Sequence, residues 1–248
     1  MMKLYYCTAL LLLSVFVQAQ NDRVNDFNTT HWLQSFNTVR LNGKWSLHME
    51  FQWRRSEGFS KGLQELYRTG INYKINDQVT VHAGYAFVQT HPYGDYPIAS
   101  SGSFPEHRAY EQLTIRHPVQ KWLFTHRFRI EQRWLQRTVS GTTGPVKDWN
   151  YVNRFRYQFR TQYPLNVKGN REWYAAAADE LFIGAGRNLG TNIFDQNRLF
   201  ILLGYKFSKR YSVEAGYFNQ TLQQGRRINN QTIMQRNNGL VLSSFLSI

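Results

Sequence analysis

Beyond residue 19 the chain has no cysteine, no apolar run long enough for a membrane-spanning helix, and too few acids for its bases. It also lacks any segment of helical period. Each absence excludes something. The single cysteine, Cys7, lies in an N-terminal stretch that opens Met1-Met2-Lys3, continues apolar from Leu4 to Val17, and ends with small residues at Val17 and Ala19. A positive start, a short apolar core and small residues at those positions are the marks of a secretory leader, here expected over 1–19 and cut after Ala19. A membrane anchor is the alternative, but the run falls short of the ~20 residues that a spanning helix needs. Removal of the leader removes Cys7, which excludes disulfides, thiolate catalysis and cysteine-based metal sites.

The acid deficit is large. The chain has 30 Lys and Arg against 16 Asp and Glu, and loss of Lys3 with the leader leaves a net charge of +13. Such an excess fits nucleic acid, but an exported chain does not meet it. The anionic partners expected are instead lipid headgroups, lipopolysaccharide phosphates and small anionic solutes. An exported chain without a spanning helix can still cross a membrane as a closed barrel, because closure pairs every backbone group. The mean hydropathy of -0.53 does not oppose this, since barrel strands alternate and half their residues are polar.

What the sequence does contain is alternation. In residues 45–54, Trp45, Leu47, Met49, Phe51 and Trp53 share one face, while Ser46, His48, Glu50, Gln52 and Arg54 share the other. Period two is a strand, and a tryptophan at each end of its apolar face suits the two water interfaces of a bilayer. Eleven candidate strands follow from the same reading: 31–41, 44–55, 62–75, 78–90, 106–117, 121–137, 149–163, 171–186, 197–209, 211–222 and 236–248. Short connections at Asn42-Gly43, Asn76-Asp77, 117–120, 164–170 and 208–210 alternate with longer ones at 56–61, 91–105, 138–148, 187–196 and 223–235. Asn42-Gly43 reads as a two-residue hairpin turn, and the loop 91–105, with Pro92, Pro97 and Pro105, reads as exposed.

The fold class expected is all-β: a transmembrane, antiparallel, up-and-down barrel formed by residues 20–248. Both termini on one side of the membrane require an even strand number. Twelve strands is therefore the expectation and ten the alternative, with 20–30 supplying an extra strand or a lumenal crossing.

Two strands carry the densest charge. In 121–137, Trp122, Phe124, His126, Phe128, Ile130 and Trp134 share a face opposite Thr125, Arg127, Arg129, Glu131, Arg133 and Arg137. In 149–163, Arg154, Arg156, Gln158 and Arg160 oppose Trp149, Tyr151, Phe155, Tyr157, Phe159 and Tyr163. A mid-bilayer charge on the lipid face costs about 2–4 kcal/mol, so these arginines must face the lumen. The same parity places Glu50, Glu180 and Glu214 there, and Glu106 and Arg108 join them near a strand end. The lumenal charge cluster is thus Arg108, Arg127, Arg129, Glu131, Arg133, Arg154, Arg156, Arg160, Glu50, Glu180 and Glu214. It can act as paired charges that plug a narrow barrel, as a basic channel or anion-binding site, or as part of an active site.

Several segments together resemble an uncharacterised bacterial outer-membrane family catalogued as domain of unknown function 2490. They are Trp45 to Arg54, Gly84-Tyr85, Pro105 to Arg108, Arg127 to Arg133, Asp179 to Phe182 and Phe194 to Leu199. The likeness spans nearly the whole mature chain and rests on the order of the segments. It implies an exported barrel of a double-membrane bacterium of the Bacteroidetes kind, with barrel-assembly and periplasmic chaperone machinery as partners during biogenesis. It brings no activity or catalytic residues.

Parts for chemistry are sparse. Outer-membrane lipid hydrolases of one type place His and Ser two apart on a strand face. None of the seven histidines has serine at that distance, although a triad assembled from separate strands stays open. His48 and Glu50 could ligate a metal, but no third ligand accompanies them, and no nucleotide fingerprint occurs. No catalytic residue, metal or cofactor is therefore expected. The leading expectation is an outer-membrane barrel with a cationic lumen: a narrow anion-favouring channel, a solute-binding barrel or a structural one. An enzyme acting on lipid or lipopolysaccharide and a soluble periplasmic barrel binding an apolar ligand are the alternatives.

Overall fold

Alternation gives every strand two unlike faces, and one closed sheet separates them. A computed structural model describes residues 23–98, 102–141, 144–189 and 192–248. The leader and its cleavage after Ala19 lie outside the described residues. The strands are β1 (Arg23–Arg40), β2 (Trp45–Ser56), β3 (Lys61–Lys74), β4 (Val79–Thr90), β5 (Phe104–Val119), β6 (Trp122–Gly141), β7 (Gly144–Lys168), β8 (Arg171–Ala185), β9 (Phe194–Lys206), β10 (Tyr211–Ile228) and β11 (Gln231–Ser247). A 3-10 turn, Arg187–Leu189, lies between β8 and β9.

Each strand pairs antiparallel with the next, and β1 closes the barrel against β11. That seam is parallel, running from Arg23 opposite Thr232 to Thr38 opposite Ser247. The twelve strands expected from parity are therefore eleven. An even number follows only if both ends of the sheet lie on one side; here Arg23 of β1 and Ser247 of β11 lie at opposite ends of the barrel, and the two strands meet in parallel. Residues 23–30 form no extra strand; they lengthen β1 in phase, with Asp26 2% exposed inside and Phe27 71% exposed outside.

The two ends of the barrel differ. At one end the chain turns at 41–44, 75–78, 120–121, 169–170 and 207–210. Three of these turns use one device. The Asn42 side chain accepts from the N–H of Lys44 and Trp45, Asn76 from those of Gln78 and Val79, and Ser208 from those of Arg210 and Tyr211. Asn42-Gly43 is thus part of a four-residue loop rather than a two-residue turn. At the other end, 57–60, 91–103 and 186–193 are the connections of more than two residues. The long loops expected at 138–148 and 223–235 are mostly strand, because β6–β7 and β10–β11 continue as tall hairpins. Asn229 and Asn230 both adopt positive φ, 48° and 61°, which is the two-residue turn that a twisted hairpin favours.

The outward face is largely apolar and bounded by aromatic rings, with two exposed carboxylates on it, Glu111 and Asp179, which accept from Gln132 and Asn197 at 3.2 and 2.7 Å. At the short-turn end three cross-strand Trp–Tyr pairs repeat: Trp45–Tyr73, Trp122–Tyr163 and Trp173–Tyr205, with centroids 4.7, 4.8 and 4.7 Å apart. Toward the long-loop end lie Trp134–Tyr151 at 5.3 Å and Trp53–Phe59 at 6.0 Å. Eight residues separate Trp45 from Trp53, about 27 Å along a strand.

Inside, the wall is divided. β1 and β8 to β11 contribute an apolar cluster of Trp32, Tyr174, Ala176, Leu202, Phe218 and Val241, with Phe200 packed on it. The rings fit because small residues face them. A Cβ at Gly204 would stand 2.1 Å from Tyr174 Cζ, so only glycine admits that ring. On the opposite wall Gly84 has the same function, since a Cβ there would meet the Tyr110 hydroxyl at 2.7 Å.

Candidate functional site

The polar wall of the lumen is the candidate site, and period two selects its members. All eleven charged residues expected in the lumen lie there, with their carboxylates as hubs. Glu131 accepts from Arg154 at 2.8 and 2.5 Å and from Arg156 at 2.5 Å, and Arg129 comes within 3.5 Å. Glu180 accepts from Arg156 at 2.7 and 3.1 Å and from Arg127 at 2.8 Å. Glu106 holds Arg108 at 2.7 and 2.8 Å and Arg133 at 2.5 and 3.1 Å. Glu214 takes Arg160 at 2.5 Å and the Tyr174 hydroxyl at 2.8 Å. Glu50 receives Arg68 at 2.6 and 2.5 Å, His48 at 3.2 Å and the Gln52 amide. All seven arginines expected in the cluster therefore have a carboxylate within ion-pair distance.

Aromatic rings join these pairs into one network. Arg68 and Arg129 lie 5.3 and 4.5 Å from the Tyr110 ring, which links the Glu50 and Glu131 hubs. Arg154, Arg156 and Arg198 surround Phe182 at 5.1, 4.3 and 4.6 Å. Such stacking suits guanidinium, which is planar and weakly hydrated.

Sequence reasoning did not single out Arg54, Arg68, Asp195 and Arg198. Asp195 accepts from Arg154 at 2.8 Å and lies 3.9 Å from Arg133. Arg54 and Arg198 differ from the rest. Arg54 donates to Gln52 at 3.1 and 2.5 Å and to Gln64 at 2.8 Å, and Arg198 donates to Gln196 at 3.1 Å. They flank the same Trp32 ring at 4.0 and 5.0 Å and are only 4% and 9% exposed. Among the described residues neither has a carboxylate within ion-pair distance. Parity alone could have found both, since Gln52 and Arg54, like Gln196 and Arg198, alternate on polar faces.

The two mouths are unequal. Residues 91–98, expected as an exposed loop, fold across the long-loop mouth. Asp26 accepts from the backbone N–H of Asp95 and Tyr96 at 3.4 and 3.2 Å and from Gln235 at 2.9 Å. Tyr93 is buried, with its hydroxyl 3.3 Å from Gln235 and accepting from Asn237 at 3.0 Å, and this burial pushes its phenol up to about 12. Arg226 donates to the Pro97 carbonyl at 2.9 Å. A Gly/Pro-rich composition announces a turn, but Asp26, Gln235 and Asn237 on the facing wall hold this loop inward through hydrogen bonds. Toward the short-turn end the network opens: the Arg127 and Arg160 side chains are 25% and 21% exposed, against 3% for Arg154.

Residues 29–232 match a family described as protein of unknown function (DUF2490). The chain is 29% identical over 180 residues to an uncharacterised protein of Methylorubrum extorquens, covering 69% of each chain. Among solved structures it is similar to the NanC porin in a rhombohedral crystal form, with 13% identity and a TM-score of 0.45 over 88% of this chain and 98% of that one.

Proposed function

We propose that this chain, which belongs to the family described as protein of unknown function (DUF2490), is an outer-membrane barrel that holds a small anion between buried lumenal arginines. The outward apolar band between two sets of aromatic rings supports placement in a bilayer. Export by the leader and insertion by barrel-assembly machinery complete this reading. Retention in the membrane pellet after an alkaline wash checks it, and release into the soluble periplasmic fraction would refute it.

The observation that carries the anion is the pair Arg54 and Arg198, buried beside Trp32 with amide oxygens as their acceptors. A buried charge is costly unless another charge offsets it. Guanidinium binds carboxylate and phosphate bidentately, and rings of arginine favour anions in pores. Narrowness supports binding over free flow, since Trp32, Phe182 and Phe218 fill the lumen and residues 91–98 lie across one mouth.

The test is unfolding of the purified full chain in detergent at fixed ionic strength, with phosphate replacing chloride. A ligand at 100 times its Kd stabilises by about 2.7 kcal/mol. The wild type gains stability with phosphate, while Arg54→Leu and Arg198→Leu gain none. Equal shifts in all three would instead favour a barrel whose paired charges are a structural plug.

A further inference from the structure

Three side chains that the lumen does not use meet on the outside of the barrel, at the rim of the long-loop end. Glu65 lies on β3, His91 directly follows β4, and Ser103 directly precedes β5. Gln64 pairs with Thr90 and Thr90 with Phe104, so the three residues occupy adjoining outward rows of neighbouring strands. His91 Nδ1 is 2.8 Å from Ser103 Oγ, and His91 Nε2 is 2.5 Å from Glu65 Oε2. The His91 backbone N–H donates to the Leu63 carbonyl at 2.9 Å, which fixes the base of the ring. Ser103 is exposed, and the His91 and Glu65 side chains are 30% and 20% exposed.

We propose that Ser103, His91 and Glu65 form a serine acyl-hydrolase site that acts on the ester of a phospholipid in the outer leaflet. The arrangement is that of nucleophile, base and orienting acid. A proton on Nε2, donated to Glu65, leaves the Nδ1 lone pair aimed at the Ser103 hydroxyl. Ser103 Oγ attacks the acyl carbonyl carbon as its proton passes to Nδ1, and the carbonyl π pair moves onto oxygen. Collapse of the adduct breaks the bond to the lipid alcohol, which takes the proton from Nδ1. Water repeats the sequence on the acyl-serine, releasing a fatty acid and restoring the hydroxyl. Glu65 positions the ring and stabilises the imidazolium formed in each half.

Location argues for a lipid substrate, and this part rests on the barrel spanning a bilayer as proposed above. Glu65 pairs directly with Trp53, the tryptophan at the long-loop end of the β2 apolar face. Indole rings sit at the water interface of a bilayer, where ester linkages lie. Arg55 adds a cation there. Its Nε and Nη2 are held by the carbonyls of Phe59 and Ser60 at 3.1 and 3.3 Å. Beneath it Gly62 carries no side chain; a Cβ there would stand 3.2 Å from His91 Cδ2 and 3.3 Å from Arg55 Nη1. The bare glycine thus lets the imidazole and the guanidinium approach each other, and the guanidinium can hold a headgroup phosphate.

The test uses the full chain folded in detergent, with its fold checked by the mobility of unheated protein on a gel. A fluorophosphonate probe followed by peptide mass spectrometry should give an adduct on Ser103, and mixed micelles of phosphatidylethanolamine should release fatty acid. Ser103→Ala abolishes the adduct. Ser103→Ala and His91→Asn each lower fatty-acid release by about 10³-fold or more. Glu65→Gln lowers kcat with little change in KM, and Glu65→Asp restores part of the loss. No adduct on Ser103 of the folded wild type, or equal release by wild type and Ser103→Ala, overturns the site. An adduct without release from phospholipid overturns the lipid substrate. The lumenal anion is tested by phosphate-dependent stability and the bilayer by the alkaline wash, so either can fail while Ser103 labels, and the reverse.

Discussion

Arg129 on β6 and Arg156 on β7 stand directly opposite each other across a strand pair. Like charges in that relation destabilise a sheet. Glu131 reconciles them, with one oxygen 3.5 Å from Arg129 and 2.5 Å from Arg156, while Arg154 occupies its other oxygen. The lumen is therefore organised around acids, although bases outnumber them.

Glu131→Gln removes the charge that three guanidinium groups share. Loss of one partner from a buried ion pair costs about 3–5 kcal/mol. Urea unfolding in detergent should show a loss of that size. Glu57→Gln, which removes the exposed pair with Lys61, should change stability by less than about 1 kcal/mol. Similar losses for the two would mean that the buried network does not hold the barrel together.

Met49 points outward midway between Trp45 and Trp53, and Thr38 points inward near the more open mouth. Met49→Arg should lower the yield of heat-resistant barrel on refolding into lipid vesicles, in line with about 2–4 kcal/mol for a mid-bilayer cation. Thr38→Arg should refold as the wild type does. The opposite order would assign the faces the other way round.

Tyr93 seats the inward loop through its neutral phenol. Burial raises its folded-state value to about 12 from the ordinary 10.0, so its contribution to stability is complete below pH 10 and is lost as pH rises from 10 to 12. Ultraviolet difference titration of Tyr93→Phe should show one late-ionising tyrosine fewer than the wild type. Protease cleavage within 91–98 should accelerate over the same interval in the wild type, and an unchanged cleavage rate there would contradict the seating role.

Gly204→Ala forces a methyl group onto the Tyr174 ring, whereas nothing lies within 4 Å of a Cβ at Gly43. Overpacking of this kind costs about 1–3 kcal/mol. Thermal unfolding should separate the two variants, with Gly43→Ala close to wild type. Equal stability would show that the ring moves aside without cost.

By itself the sequence determined the faces. Side-chain direction in a strand depends only on whether a residue number is odd or even, so Arg127 and Phe128, or Glu50 and Phe51, could be sorted without knowing any neighbour. The same rule carried the all-β fold and the membership of the lumenal charge cluster. Tertiary structure decided what depends on strands remote in sequence. Closure of β1 on β11 is parallel because of a register between residues more than 200 apart, and no local pattern encodes that. The assignment of Glu214 to Arg160 and of Asp195 to Arg154, which join strands that do not pair, and the lack among the described residues of a carboxylate within ion-pair distance of Arg54 and Arg198, follow from how the closed barrel brings its strands together. Ser103, His91 and Glu65 became neighbours in the same way. A sheet brings together residues by row, and the row is set by pairing register rather than by distance along the chain.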